Sequence, residues 1–315
     1  MSWAGPSWTF ARISLSPQIH FMFQRIGFAD ADSGLEEAEY VVVGLPFDGT
    51  ASFRSGSRDG PDAIRLASFN FESYDSYYGV DLSELDICDL GNMELGADPA
   101  YAQETIKEGI ELLPERAAPI FLGGEHSITP AIVEGLGRQT SARSALGVLV
   151  LDAHLDLREE YGCTASSHAC ASRRILEKDV VAGYASIGIR SGSREEFGWA
   201  AENNISYFTA RQVREEGVDA VLDDAVLDQA LRSLQCERLY LSIDLDVLDP
   251  AYAPAVGNPE PFGLTSWDAK RVIERLAPRL VGLDINELTP AYDRGETALL
   301  AARLAREFIA ARAKA

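Results

Sequence analysis

Apolar, largely β-branched runs of strand length recur along this chain at 39–45, 85–89, 119–122, 146–151, 184–189, 205–208, 238–243 and 280–285. Runs this short, with little polar alternation, predict strands buried on both faces. Between most of them lie segments long enough for helices, at 61–69, 99–113, 127–136, 166–177, 218–234 and 265–276, and a last helix is expected over about 295–313. Pro61 suits the first turn of its helix, where a missing N–H costs nothing. Such alternation predicts one α/β domain of three layers, αβα, around a doubly wound, mainly parallel sheet of eight strands. An eight-fold barrel would satisfy the same alternation. The run at 205–208 begins only sixteen residues after Ile189, however, and that irregular spacing favours the open sheet.

Length leaves one large domain or two small ones open at 315 residues. No Ser/Gly tract, Pro-rich stretch, solenoid-period repeat or block of like charges interrupts 39–313, so one domain over 22–315 is expected. Residues 1–21 read as a poorly structured extension. They lack a basic stretch followed by an apolar core, so a secretory signal is not expected, and Met22 is a candidate natural start. No run approaches the roughly 18 apolar residues of a membrane span. The net charge of −21 argues against nucleic acid and favours cationic small molecules, although acidity serves solubility equally well. Four cysteines without a C-x-x-C pair read as reduced thiols, and hence a cytoplasmic protein.

The chemistry lies where three of the apolar runs end. His126 follows the first, Asp152, His154 and Asp156 follow the second, and Asp244 and Asp246 follow the third. In parallel sheets ligands sit beyond the carboxyl ends of the strands. Four carboxylates cannot all stay ionised in one cleft without compensating charge, and two divalent cations balance four aspartates. A single Asp-x-Asp is commonly a turn and a lone His commonly structural. Here three of the four histidines (His126, His154, His168) fall in or just after these segments. Alternate residues on an extended chain step about 6.6 Å along one face. Asp244 and Asp246 fit that directly, whereas Asp152, His154 and Asp156 require the chain to curl into a loop after His154 to reach cations about 4 Å apart. Another carboxylate, Glu287, follows the last run at the same rim. The Gly- and Arg-rich stretch 49–65 carries no phosphate-binding fingerprint, and Arg54, Arg58 and Arg65 are expected to tie it to acidic neighbours or to another subunit.

Laid out in this way, the chain resembles the ureohydrolases, the arginase and agmatinase family. Their motifs stand here as GGEHS (123–127), DAHLD (152–156), SIDLDVLDP (242–250) and DINE (284–287), and the resemblance covers roughly 40–313. The Arg-rich loop and SHACASRR (167–174) look most like agmatinases, archaeal ones in particular. The resemblance implies an arginase/deacetylase-like sheet, a homotrimer or homohexamer, and two divalent metal ions, most commonly Mn2+. His126, Asp152, Asp156 and Asp244 would hold one ion, and Asp152, His154, Asp244 and Asp246 the other. Glu287 would receive the substrate guanidinium, while His168, beside the substrate, and Asp156 would move protons. Guanidinium is resonance-stabilised, so water needs activation, which a metal pair supplies. Oxygen-rich ligation with two imidazoles suits manganese, although nickel, cobalt or zinc could compete. Three departures from the family pattern stand out. Glu125 replaces Asp and is expected to support the ligands from behind, Ala255 and Phe262 replace glycine and are expected to reshape the pocket wall, and Ala169 replaces Gly.

Glu159, with Glu160, favours a cationic substrate tail, Arg158 argues the other way, and two acids simply facing solvent are the competing reading. The expectation is therefore agmatine, giving urea and putrescine, ahead of aminopropylagmatine, guanidinobutyrate or arginine. A single-zinc amide deacetylase needs fewer ligands than are present, and a non-catalytic relative would be expected to have lost some.

Overall fold

The structure, a computed structural model, describes residues 27–139, 146–223 and 238–315. The expected extension 1–21, the start at Met22, residues 224–234 of one expected helix and Cys236 lie outside the described residues.

Eight strands form one sheet: β1 (Tyr40–Leu45), β2 (Ile87–Asn92), β3 (Ala118–Gly123), β4 (Leu146–Leu151), β5 (Val181–Ile189), β6 (Ser206–Thr209), β7 (Arg238–Asp244) and β8 (Leu280–Asn286). Their spatial order is β2-β1-β3-β8-β7-β4-β5-β6, with every neighbouring pair parallel. The sheet is open, with β2 and β6 at its edges, so the barrel is excluded. A separate two-strand hairpin pairs Tyr74–Asp75 with Val80–Asp81.

β1, β3 and β4 are buried along their whole length, β7 and β8 at all but one position, and they send alternate side chains into two cores. Ile120 and Leu122 of β3 join one core; Phe121, between them, joins the other. The first core is covered by α1 (Gly60–Ser68), α6 (Ala210–Glu216), α7 (Val218–Leu222), α8 (Ser266–Leu276) and α9 (Glu296–Lys314), which contribute Ile64, Val213, Val221, Ile273 and Phe308. On the opposite face α2 (Pro99–Glu111), α3 (Thr129–Gln139) and α4 (Ala171–Leu176) contribute Ile106, Ile110, Ile132 and Ile175. Full burial of each large apolar side chain stabilises the fold by about 1.5–3 kcal/mol.

Two helices fall where the apolar pattern predicted none. The first, α5 (Arg194–Glu202), opens with a capping box in which Ser193 and Glu196 exchange side-chain-to-backbone hydrogen bonds. The second, α6, opens the same way with Thr209 and Gln212. The short interval before 205–208 thus contains α5, an ordinary strand–helix–strand crossover. Elsewhere the expected helices at 127–136 and 166–177 each begin with a 3-10 turn, at His126–Ile128 and His168–Cys170, before α3 and α4.

Two arginines of the Arg-rich loop meet acidic neighbours, as expected, and the third meets an aromatic ring. Arg65 is buried against Asp89 (2.8 Å), Arg58 pairs with Asp48, and Arg54 lies over the ring of Tyr292 (4.7 Å). No disulfide joins Cys88, Cys163 and Cys170. Among the described residues no helix is long and apolar enough to cross a membrane.

Candidate metal centre

Adjacent strands β3, β8, β7 and β4 deliver the candidate residues to one rim of the sheet. Beyond β3 the Gly123-Gly124 pair lets the chain pass hard against its neighbour: a Cβ at Gly124 would lie 2.0 Å from the carbonyl oxygen of Phe47. Glu125 N then donates to that same oxygen (2.7 Å), and His126 is delivered fully buried. Past β4 the chain leaves extended geometry, and Asp156 sits at φ 50, the left-handed region that non-glycine residues rarely adopt. This is the curl expected after His154. Glu287, past β8, is likewise left-handed at φ 66, and its N–H donates to Gly124 O (2.7 Å).

Two groups of donors result. His126, Asp152 and Asp244 bring ligand atoms within 4.8 Å of one another, as do Asp152, His154 and Asp246, so Asp152 belongs to both. His126 Nδ1 lies 3.2 Å from Asp152, 3.4 Å from Asp156 and 3.4 Å from Asp244. His154 Nδ1 lies 2.9 Å from Asp246 and 3.6 Å from Asp152. His126 Nδ1 and Asp152 Oδ2 are nonetheless buried without a hydrogen-bond partner of proper geometry. Orphaned lone pairs of hard donors, aimed at a common point, fit a divalent cation.

The ring of His126 is set from behind. Ser242 Oγ donates to Asp284 (2.6 Å), so it must accept from His126 Nε2–H (3.0 Å), which turns Nδ1 toward the aspartates. Tyr240 (2.7 Å) and Thr129 (3.2 Å) also donate to Asp284. Glu125 stands behind the site, accepting from Thr50 N (2.8 Å) and Ser127 Oγ (2.7 Å).

The charges of the cluster show what it lacks. Burial, then Asp152, pushes Asp156 up to about 7; burial, then Glu125, pushes Glu287 up to about 8. Asp244 is raised well above the usual range by burial and by Asp246, Asp152 and Glu287. Burial presses His126 and His154 toward neutrality, but the surrounding carboxylates outweigh it and hold both well above the usual imidazole value. The same contacts hold Asp152 well below the usual carboxylate range despite its burial. The fold has paired protons with carboxylates where cations would serve.

A cavity of about 300 Å³ opens on this cluster, lined by His154, Asp156, Asp244, Asp246, His168 and Glu287 among others. His168 Nδ1 meets Thr50 Oγ1 (3.1 Å), whose own proton goes to Glu125, so Nε2 is the nitrogen left as acceptor. Burial, then the charges of His126 and His154, lowers His168 to about 4. Glu159 is exposed and does not line the cavity; Arg158, Tyr161 and Glu196 do. Phe262 is 88% exposed and Ala255 is fully buried, and neither lines the cavity, whereas Ala169 does.

Residues 38–311 match the model of the arginase family. The chain belongs to that family. Among its arginase-family relatives, an agmatinase of Pyrococcus horikoshii is 39% identical over 278 residues, covering 86% of this chain and 90% of that protein. An N(1)-aminopropylagmatine ureohydrolase of Thermococcus kodakarensis is 40% identical over 285 residues, covering 89% and 92%. The crystal structure of the agmatine ureohydrolase of Thermoplasma volcanium superposes with a TM-score of 0.85 at 42% identity, covering 95% of this chain and 98% of that one. Ser242, Asp284 and Tyr240, which set the ring of His126 from within their strands, carried no sequence signal as functional residues, except that Ser242 and Asp284 open two of the motifs.

Proposed function

We propose that this arginase-family ureohydrolase holds two divalent cations, Mn2+ for preference, and hydrolyses agmatine to putrescine and urea. The observation that carries the reading is the pair of donor groups sharing Asp152, opening with Glu287 and His168 on one cavity. Asp156 and Asp244 complete the two ligand sets, Asp244 being shared between them. Bound there, a cation pair would lower the pKa of water and make it a competent nucleophile near neutral pH.

The remaining steps belong to the chain. Glu287 Oε1 is pinned by His126 N–H (2.8 Å), which fixes the carboxylate to receive the planar guanidinium and aim its carbon into the cluster. Ionised by that cation, Glu287 turns from an unfavourable buried charge into half of a pair. As water's oxygen bonds to the guanidinium carbon, a proton passes to Asp156, and the departing nitrogen must gain one as its bond to carbon breaks. His168, neutral and lining the cavity with Nε2 beside Ser52 Oγ (3.2 Å), is placed to pass that proton on rather than keep it. The outer wall contains Glu196 and neutral hydroxyls, and Arg158 is partly neutralised by Glu196 at 3.4 Å, so an ammonium tail is tolerated there. Glu159 stands outside the cavity and draws a cationic tail only from a distance. The Thermococcus relative favours aminopropylagmatine as a second reading. A homotrimer or homohexamer in the cytoplasm completes the proposal.

The test is urea release by the Mn2+-loaded protein with agmatine, aminopropylagmatine, guanidinobutyrate and arginine. The highest kcat/KM is expected for agmatine. Asp244→Ala should reduce release to background, and near-normal turnover in that variant would refute the ligand assignment.

A further inference from the structure

At the end of β5 the guanidinium of Arg190 bonds, among the described residues, only to backbone oxygens. Nε donates to Pro261 O (3.1 Å), and Nη1 to Gly188 O and Val247 O (both 3.1 Å). Nη2 donates to Asp246 O (2.6 Å), Glu260 O (2.8 Å) and Leu248 O (3.3 Å). A guanidinium offers five N–H donors in a rigid fork. This one is saturated, with nothing left for a carboxylate or a substrate. The backbone is drawn close to it as well, since a Cβ at Gly263 would lie 2.7 Å from Nη2.

The main chain of the same segment grips a second ligand-bearing loop. Arg190 N and Ser191 N both donate to Ala153 O (2.8 and 2.9 Å), Leu155 N donates to Ser191 O (3.2 Å), and His154 forms a bridge with Ser191. The carboxylate of Glu260, whose carbonyl the fork holds, lies 3.8 Å from His154 Nε2. A carboxylate beside the outer nitrogen of a ligating histidine sets the ring's orientation and basicity.

These contacts are distributed unevenly over the two donor groups. Asp152, His154 and Asp246 all lie on segments that Arg190 or its neighbour ties together. Asp152 and Asp244 are common to both proposed ligand sets; His126, which belongs to the other set alone, lies on a segment that receives no bond from Arg190 or Ser191. We propose that Arg190 is the positioning residue of the Asp152–His154–Asp246 cation site, setting the affinity of one of the two cations without touching either cation or the substrate. The inference rests on the two-cation reading above.

Mn2+ binding to the metal-free full chain, followed by titration calorimetry and by counting bound metal after dialysis, tests it without any activity measurement. The wild-type protein is expected to bind two equivalents per chain; a single equivalent would overturn both this inference and the two-cation reading. Arg190→Lys keeps the charge and loses the fork. It should retain one equivalent near wild-type affinity and bind the other about tenfold more weakly or worse. Gly263→Ala, which leaves Arg190 in place but crowds Nη2 together with the backbone at Leu248 and Asp249 that the fork holds, should shift the same equivalent. Two equivalents at wild-type affinity in Arg190→Lys would overturn the inference alone, as would parallel weakening of both, the result expected from a general loss of packing. If neither variant unfolds cooperatively when metal-free, Arg190 is a folding residue and the inference is likewise overturned.

Discussion

In the metal-free fold Asp156, pushed up to about 7, and Glu287, pushed up to about 8, keep protons that an unfolded chain releases near 3.8 and 4.5. His126 and His154 act in the same direction, keeping protons that an unfolded chain gives up near 6.5. Between about pH 4 and 8 the folded form therefore binds more protons than the unfolded one, and its stability falls as pH rises through that window. Asp152 and His168 work the other way: the contribution of Asp152 is complete above 3.8 and constant here, and His168, lowered to about 4, offsets one of these protons only up to about pH 6.5. Cations displace these protons, so metal binding should release protons and tighten with pH. Scanning calorimetry should show the Tm of the metal-free protein dropping from pH 5 to 8 while the Mn2+-loaded form changes little; equal slopes would contradict this account. Asp156→Asn separates charge from backbone, because Asn tolerates the left-handed region as well as Asp does. Its metal-free Tm should rise while urea release is lost, and a fall in Tm would mean that repulsion among carboxylates is not what limits the site. The candidate ligands could be singled out in the sequence because each is a carboxylate or imidazole donor just past an apolar run, and the structure brings them together. Glu159 and Phe262 show the limit: a sequence reveals a charge or a bulky ring but not which way a loop turns it.

Among the elements, eight strands could be read from composition because burial on both faces leaves little room for polar residues. Short helices are harder. With seven residues, α6 makes barely two turns, and its start is set by Thr209 and Gln212 rather than by an apolar stripe. The same holds for α5, where Ser193-Arg194-Glu195-Glu196 spells a capping box that alone signalled a helix. Glu196 does more than cap: it also accepts Leu157 N (3.1 Å), fastening α5 to the loop that follows the ligands. Thr209→Ala leaves Gln212 N, an N-terminal donor of α6, without its partner and should cost about 1 kcal/mol. A lowered denaturant midpoint with unchanged kcat is expected, since Thr209 does not line the cavity; a midpoint equal to wild type would mean that packing of Ala210 and Val213, not the cap, secures α6. The supporting network of Ser242, Tyr240 and Asp284 escaped the sequence reading because hydroxyls within a strand look alike whether they face a helix or a histidine.

Over the whole molecule a net charge of −21 surrounds a cavity proposed to take a cation. Long-range attraction of this kind raises encounter rates and is screened as the Debye length shrinks from about 30 Å at 0.01 M salt to about 3 Å at 1 M. Across that range kcat/KM for agmatine should fall several-fold while kcat holds; a flat profile would assign the acidity to solubility alone. Strand number and the parallel arrangement were legible in the alternation, but strand order was not, because no local pattern states which neighbour a fully buried strand will choose. That order has a consequence for how the protein is made. The strands up to β3 form one half-sheet and β4 to β7 another, and β8, synthesised last, is the only strand that joins them. A growing polypeptide halted before residue 280 would carry all six histidine and aspartate donors, yet His126, past β3, would have no strand joining it to the five donors past β4 and β7. The two parts of the cluster meet only when the final strand slides into the middle.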